Sequence, residues 1–190
     1  LNKRYPFFSL EDVSFSLEKG TIMGFIGRNG AGKSTTLKAL FNIVHPDSGE
    51  VSFFGMPYAG NERAIKNRSS FSAGAFEYYQ NKTLRSITKV TRRFYSEWDD
   101  AVYAKYLDKF MLDECKTPAE LSEGMKVKYS LCLALSHNAE LLILDEPFSG
   151  FDPVNANLIK DEIIELNKQG TSVILSTHRM ESVEEMCDYV

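Results

Sequence analysis

The chain has 190 residues, enough for one domain with a sizeable core or one domain carrying a small insertion, and too few for two full domains in comfort. Hydrophobic residues make up 43% and charged residues 25%, as in ordinary globular proteins, and the formal net charge of -4 gives no electrostatic reason to expect nucleic acid as a partner. Its three cysteines, Cys115, Cys132 and Cys187, are dispersed and lack histidines at ligand spacing, which argues against a disulfide frame and against a zinc site.

No apolar run approaches the about 18 residues needed to span a bilayer, and no basic-then-apolar leader is present, so the chain itself is expected in the cytosol. It begins at Leu1 and breaks off at Val190 inside an unfinished segment, and is expected to be part of a longer polypeptide. Leu10 to Leu17 (LEDVSFSL) alternates apolar and polar residues and predicts a half-buried strand, with Glu18-Lys19-Gly20 as its turn. Thr21 to Ile26 reads as a buried strand.

Gly27 to Ser34, GRNGAGKS, then fits G-x-x-x-x-G-K-[ST] between a strand and a helix, the setting that motif requires. Glycines let the backbone wrap so that N–H groups face inward, the helix N-terminus adds positive potential, Lys33 supplies a charge and the Ser34 hydroxyl suits magnesium. Together these groups make a nest for a triphosphate. Asn167-Lys168-Gln169-Gly170 does not complete an asparagine-lysine-x-aspartate guanine reader, which favours ATP over GTP.

Lys33 to Phe41 reads as the helix, stopped near His45-Pro46-Asp47-Ser48-Gly49, and Val51 to Phe54 as a short strand. Between Thr83 and Asn138 apolar residues recur at helical spacing with almost no strand signal, predicting a helical insertion. Leu141 to Asp145 is an apolar strand that ends in two carboxylates, Asp145 and Glu146, and a buried strand carries acids at its tip where something cationic or protic is held. With a triphosphate nest nearby, Asp145 is placed to hold magnesium and Glu146 to accept a proton from attacking water. Asp152-Pro153 starts a helix whose apolar face is Val154, Leu158, Ile159, Ile163 and Leu166; Gly170 ends it before the strand Thr171 to Ser176. Glu181 to Val190 reads as one helix leading towards a further strand. Strands alternating with helices predict an α/β fold with a mostly parallel sheet and a ligand crevice at the carboxyl ends of its strands.

The combination resembles the nucleotide-binding subunit of ATP-binding cassette (ABC) transporters over the whole chain. GRNGAGKST matches the Walker A loop, LLILDEP the Walker B strand, FSGFD (Phe148 to Asp152) the D-loop and STH (Ser176 to His178) the switch histidine, in the family's order. Leu121-Ser122-Glu123-Gly124-Met125 occupies the place of the LSGGQ signature. The resemblance implies a P-loop NTPase fold with an N-terminal antiparallel β portion, an ATP-binding core of residues 1–82 and 139–190, and a helical subdomain of residues 83–138. It implies that Gly27, Asn29, Gly30, Ala31, Gly32, Lys33, Ser34 and Thr35 hold the phosphates of ATP, and that Ser34 and Asp145 bind Mg2+. It implies catalytic roles for Glu146, Lys33 and His178, the histidine contacting the γ-phosphate and the attacking water. Ser122 and Gly124 would close over ATP held by a second subunit, and Tyr5 would stack on adenine, with Phe7 or Phe8 as rivals for that place.

Three positions depart from the family pattern. Gly74, within RSSFSAGAFEYY, stands where many members have a magnesium-binding glutamine, leaving Glu77 or Gln80 as substitutes; Glu123 replaces the first signature glycine and Met125 the signature glutamine. The implied function is the ATP-hydrolysing subunit of a transporter, peripheral on the inner face of the membrane, paired with a second nucleotide-binding subunit and with transmembrane permease subunits, and leaning towards export. Phe76, Tyr78, Tyr79, Phe94, Tyr95 and Trp98 read either as a partner-facing patch or, for most of them, as core. A soluble ABC-type ATPase acting on ribosomes or DNA, or a simple P-loop kinase or nucleotide sensor, are the alternatives.

Overall fold

The computed structural model describes residues 1–73, 79–178 and 183–190. It opens with an antiparallel hairpin of β1 (Lys3–Tyr5) and β2 (Phe8–Leu10), in which Lys3 faces Leu10 and Tyr5 faces Phe8. The strand expected over Leu10 to Leu17 is therefore corrected, since only Leu10 belongs to one. Asp12 lies at φ +50° and Val13 exchanges backbone hydrogen bonds with Leu1, a one-residue offset from the β1–β2 register. That extra residue is a bulge that ends regular pairing. Ser14, Phe15 and Ser16 beyond it are exposed, so the alternation of the sequence has no sheet to face.

β3 (Ile22–Ile26) leads through the glycine loop into α1 (Lys33–Leu40); β4 (Ser52–Phe53) and β5 (Met56–Pro57) form a second small antiparallel pair. Next come α2 (Glu62–Arg68) and β6 (Ser69–Ser72), which the sequence reading did not separate. Then α3 (Leu84–Thr91), α4 (Asp100–Lys109) and α5 (Glu123–Leu135) follow without an intervening strand among the described residues, and the chain returns through β7 (Leu141–Asp145), α6 (Pro153–Lys168) and β8 (Ser172–Thr177). Thr83, Asp99, Ser122 and Asp152 cap α3, α4, α5 and α6 with their side-chain oxygens, which explains why these helices start where they do.

The main sheet has the order β3-β8-β7-β6 and is parallel throughout. Every residue of β7 and β8 is buried, as parallel strands covered on both faces require. Side chains alternate between two cores. Leu142, Leu144, Val173 and Leu175 pack with the helices α3 to α6, whereas Leu141, Ile143 and Ile174 pack with Leu37, Phe41, Phe53 and Ile65 on the other face. On α6 the buried positions are Ile159, Glu162 and Ile163. Val154, expected on that face, is 78% exposed, because the first turn of α6 stands clear of the core along with Asp152 and Pro153. Inside α6, the Glu162 carboxylate accepts from Tyr106 Oη at 2.5 Å and pairs with Lys109, tying α4 to the body of the protein.

The single helix expected over Glu181 to Val190 is also corrected. Residues 181 and 182 lie outside the described residues; 183 and 184 make a short helical turn, and by Asp188 the chain runs along β3. Asp188 Oδ2 accepts from the Ile22 N–H, and the Tyr189 carbonyl accepts from the Gly24 N–H at 2.9 Å. These groups satisfy the open edge of β3, which a helix could not do.

His137, just beyond α5, is fully buried and stacks on Tyr95 at 3.8 Å, and neither ring nitrogen has a hydrogen-bond partner of good geometry. Burial pushes its imidazole down to about 4, only partly offset by the backbone of His137 itself and of Asn67. The unfolded chain therefore binds a proton near pH 6.5 that the folded chain refuses until about pH 4, and stability falls as pH drops through that window. At pH 4.5 the loss from this group should be roughly 2 to 3 kcal/mol relative to neutral pH. In urea unfolding, the stability of His137→Phe, which keeps the stack, relative to wild type should rise by that amount between pH 7 and pH 4.5. Parallel pH profiles would show that His137 carries no such penalty.

Candidate functional site

The loop after β3 is shaped by two glycines at positive φ, Gly30 at +84° and Gly32 at +95°. A β-carbon on Gly32 would lie 2.5 Å from Leu10 Cδ2 and 2.6 Å from Phe8 Cζ, so the hairpin closes on the loop only because this residue has no side chain. Gly32 is also the N-cap of α1 and offers no side-chain acceptor to the first turn. The N–H groups at that helix end thus remain aimed at the loop, in the arrangement that binds anions. Gly27, Asn29 and Ala31 line the turn, Ser34 and Thr35 begin the helix, and Lys33 is buried. Its Nζ donates to the Gly27 carbonyl at 2.7 Å and lies 3.6 Å from Glu146 Oε1.

The two acids come from the end of β7. Asp145, its last residue, is 7% exposed and its Oδ1 accepts from Ser34 Oγ at 2.9 Å and from Ser176 Oγ at 2.6 Å. Glu146 turns at φ +50°, a conformation that swings its carboxylate out of the strand direction, and its Oε2 lies 3.0 Å from His178 Nδ1. Lys33, Ser34, Asp145, Glu146 and His178 therefore meet at the carboxyl ends of β3, β7 and β8. As donors, Ser34 Oγ and Asp145 Oδ1 are hard oxygens within hydrogen-bond distance of each other, which suits magnesium completed by water and phosphate oxygens. Among the described residues no group of three or more His, Cys, Asp or Glu side chains could hold a metal unaided, so the protein would supply only part of the shell.

Ser176 is the residue the sequence reading passed over. It is fully buried, donates to Asp145 Oδ1, and accepts the Glu146 N–H at 2.9 Å, so one hydroxyl fixes both acids. A signal was available: a hydroxyl at the carboxyl end of an otherwise apolar buried strand, SVILST, needs a partner there.

Other expected residues sit apart from this cluster within one chain. Ser122 Oγ caps α5 by accepting the Met125 N–H, and Gly124 lies against Phe151, whose ring carbons would be 3.1 Å from a β-carbon at that position. Glu123 directs its carboxylate to Lys126 on its own helix at 2.7 Å. Tyr5 is part-exposed, stacks on Phe8 at 6.3 Å and has the Lys3 ammonium 5.6 Å from its ring centre. Because Phe8 also touches Gly32, Tyr5 reaches the phosphate loop through one intermediate ring, whereas Phe7 is fully exposed at the hairpin turn. Gly74, Phe76, Glu77 and Tyr78 lie outside the described residues, and Gln80 follows in a half-buried turn. Of the remaining aromatics, Tyr79 and Phe94 are exposed, while Tyr95 stacks on His137 and Trp98 packs on Tyr103.

Residues 10–149 match the sequence profile of the family described as ABC transporter. The chain is 32% identical over 185 residues to the ABC transporter ATP-binding protein YtrB of Bacillus subtilis, covering 95% of this chain and 62% of the relative. It is 35% identical over 185 residues to the Nod factor export ATP-binding protein I of Burkholderia lata, covering 93% and 60%. It thus spans a little under two thirds of the length of these relatives. Among solved structures, an ATP-binding subunit of an ABC transporter superposes with a TM-score of 0.88 at 30% identity, over 100% of this chain and 82% of the other.

Replacing Ser176 by alanine should orphan the Glu146 N–H and remove a donor from buried Asp145. Urea unfolding should then report a loss of about 1–3 kcal/mol; a change below about 0.3 kcal/mol would mean that this hydroxyl does not hold the acids.

Proposed function

This chain belongs to the ABC transporter family, and on that premise we propose that it binds ATP with Mg2+ and hydrolyses it as the nucleotide-binding part of a membrane transporter. The observation that carries the reading is the meeting of Lys33, Ser34, Asp145, Glu146 and His178 at three neighbouring strand ends. In it, the loop N–H groups of residues 27–35 and the Lys33 ammonium hold the β- and γ-phosphates. Ser34 and Asp145 hold magnesium, which when bound neutralises phosphate charge. Glu146 accepts the proton of the attacking water, and His178, 3.0 Å away, orients that carboxylate and contacts the γ-phosphate. Tyr5 provides a flat apolar platform for adenine next to the loop.

A phosphate group alone does no mechanical work. ATP drives movement only if it binds one arrangement of the assembly more tightly than another. We assign that arrangement to two nucleotide-binding subunits packed so that Ser122 and Gly124 of one close on the ATP held by the other. No described helix is long and apolar enough to cross a membrane, and transmembrane partner subunits would supply the pathway and hold this chain at the inner membrane face. Exposed Phe94 edges a cleft of about 630 Å³ whose other walls are mainly polar, among them Asn61, Glu62, Arg63, Asn67 and Arg93, a mixed surface on which a partner subunit could dock. Export is the favoured direction, in keeping with the Nod factor export relative.

The discriminating variant is Glu146→Gln. It should bind ATP and magnesium yet hydrolyse at least about 100-fold more slowly, and should elute as a dimer on gel filtration with ATP. A variant that stays monomeric with saturating ATP at high protein concentration would contradict the two-subunit cycle.

A further inference from the structure

Lys128 lies on α5, six residues beyond Ser122, and is buried with only 6% exposure. A buried ammonium normally faces a carboxylate, because taking it out of water costs several kcal/mol otherwise. Here Nζ donates instead to the amide oxygen of Asn155 at 2.6 Å. The other end of that amide donates to Asp152 Oδ2 at 2.6 Å, and the Asn155 N–H donates to Asp152 Oδ1 at 2.9 Å. Asn155 thus relays the lysine's charge to the aspartate that caps α6. Lys128 also stands 6.0 Å from the centre of the Phe151 ring, and Gly124, one turn earlier on α5, receives the edge of that ring. Gly124 and Lys128 therefore grip Phe151 between them.

The gripped segment is the far end of the loop that starts at Glu146. Between Glu146 and Asp152 the chain makes two tight turns, Ser149 N–H to Glu146 carbonyl at 3.1 Å and Phe151 N–H to Phe148 carbonyl at 3.5 Å. It is fixed at one end by Ser176 on the Glu146 N–H and at the other by the Lys128–Asn155–Asp152 relay. Glu146 meanwhile holds a φ of +50° that a non-glycine residue keeps only when its surroundings impose it.

We propose that Lys128 is a positioning residue for hydrolysis. Through Asn155 and Phe151 it sets the loop that presents Glu146, and it locks the start of α5, with Ser122 and Gly124, to that same loop. The role rests on the ATPase reading above. It touches no phosphate and belongs to neither the phosphate loop nor the strand-end acids.

The test compares wild type, Lys128→Met, Lys128→Arg, Asn155→Leu and the Lys128→Met/Asn155→Leu double variant by steady-state ATPase kinetics, with MgATP affinity measured separately by calorimetry. Lys128→Met should lose about 10- to 100-fold in kcat with affinity for MgATP within about twofold of wild type. Lys128→Arg should recover most of the loss, and the double variant should be no slower than either single one. If Lys128→Met does not fold, Lys128→Arg and Asn155→Leu decide by the same split. The role is overturned if kcat stays within about twofold of wild type, if affinity and kcat fall together, or if the two single losses multiply. A wild type without ATPase activity sinks the ATPase reading and this role with it, whereas an active wild type indifferent to Lys128→Met sinks this role alone.

Discussion

β8 is the strand on which the site depends, because it runs between β3 and β7 and brings their carboxyl ends to one level. Ser176 stands in register with Phe25 on one side and Asp145 on the other, so the phosphate loop begins two residues beyond its β3 neighbour and the acids begin beside it. Parallel register is strongly specified here, since a slip of one residue would turn every buried side chain of β8 to the opposite core. The hydroxyl of Ser176 converts that register into chemistry by bonding Asp145 and the Glu146 backbone at once. Without the pairing of three strands, Lys33, Asp145 and His178 would remain separate residues spread over most of the chain.

Charge is handled in the same economical way around this point. Lys33 stands near one oxygen of Glu146 and the His178 ring near the other, so this carboxylate is flanked by an ammonium and an imidazole at the strand ends. Glu123 raises the opposite problem in the proposed two-subunit arrangement, where a second carboxylate near a phosphate would repel it by about 1 kcal/mol in water and about 4 kcal/mol at a protein-surface dielectric at 4 Å. Its bond to Lys126 turns the carboxylate along its own helix and offsets its charge locally. The loop between Glu146 and Asp152, held by Ser176 at one end and Asn155 at the other, links these two regions of the chain.

Much of this was legible in the amino-acid sequence because local rules and tertiary packing agree. The phosphate loop needs glycines in fixed places whatever surrounds it, and LLILD can hardly be anything but a buried strand with an acid at its tip. Capping residues gave the start of α6 for the same reason, since Asp152 and Pro153 satisfy and pre-shape a first helical turn. The misses have a common cause in partners that are distant in sequence. LEDVSFSL alternates like a strand, yet a bulge at Asp12 removes its ladder. Val154 has the right spacing for the buried face of α6 but precedes the point where that helix meets the core. Asp188 and Tyr189 are drawn along β3 by its unpaired edge, which no local pattern announces. Ser176 and Lys128 matter through single contacts to Asp145 and Asn155, and only the folded arrangement supplies those.

In the proposed function, the loop from Gly27 to Ser34 and the acids at the end of β7 form one site for a magnesium-bound nucleoside triphosphate. Calorimetric titration of the chain with ATP, with and without magnesium and with Lys33→Ala beside wild type, tests it most directly. Wild type should bind saturably, require magnesium for full affinity and bind at least about 100-fold more tightly than the variant. Binding of equal strength in both proteins, or none in either, would contradict it.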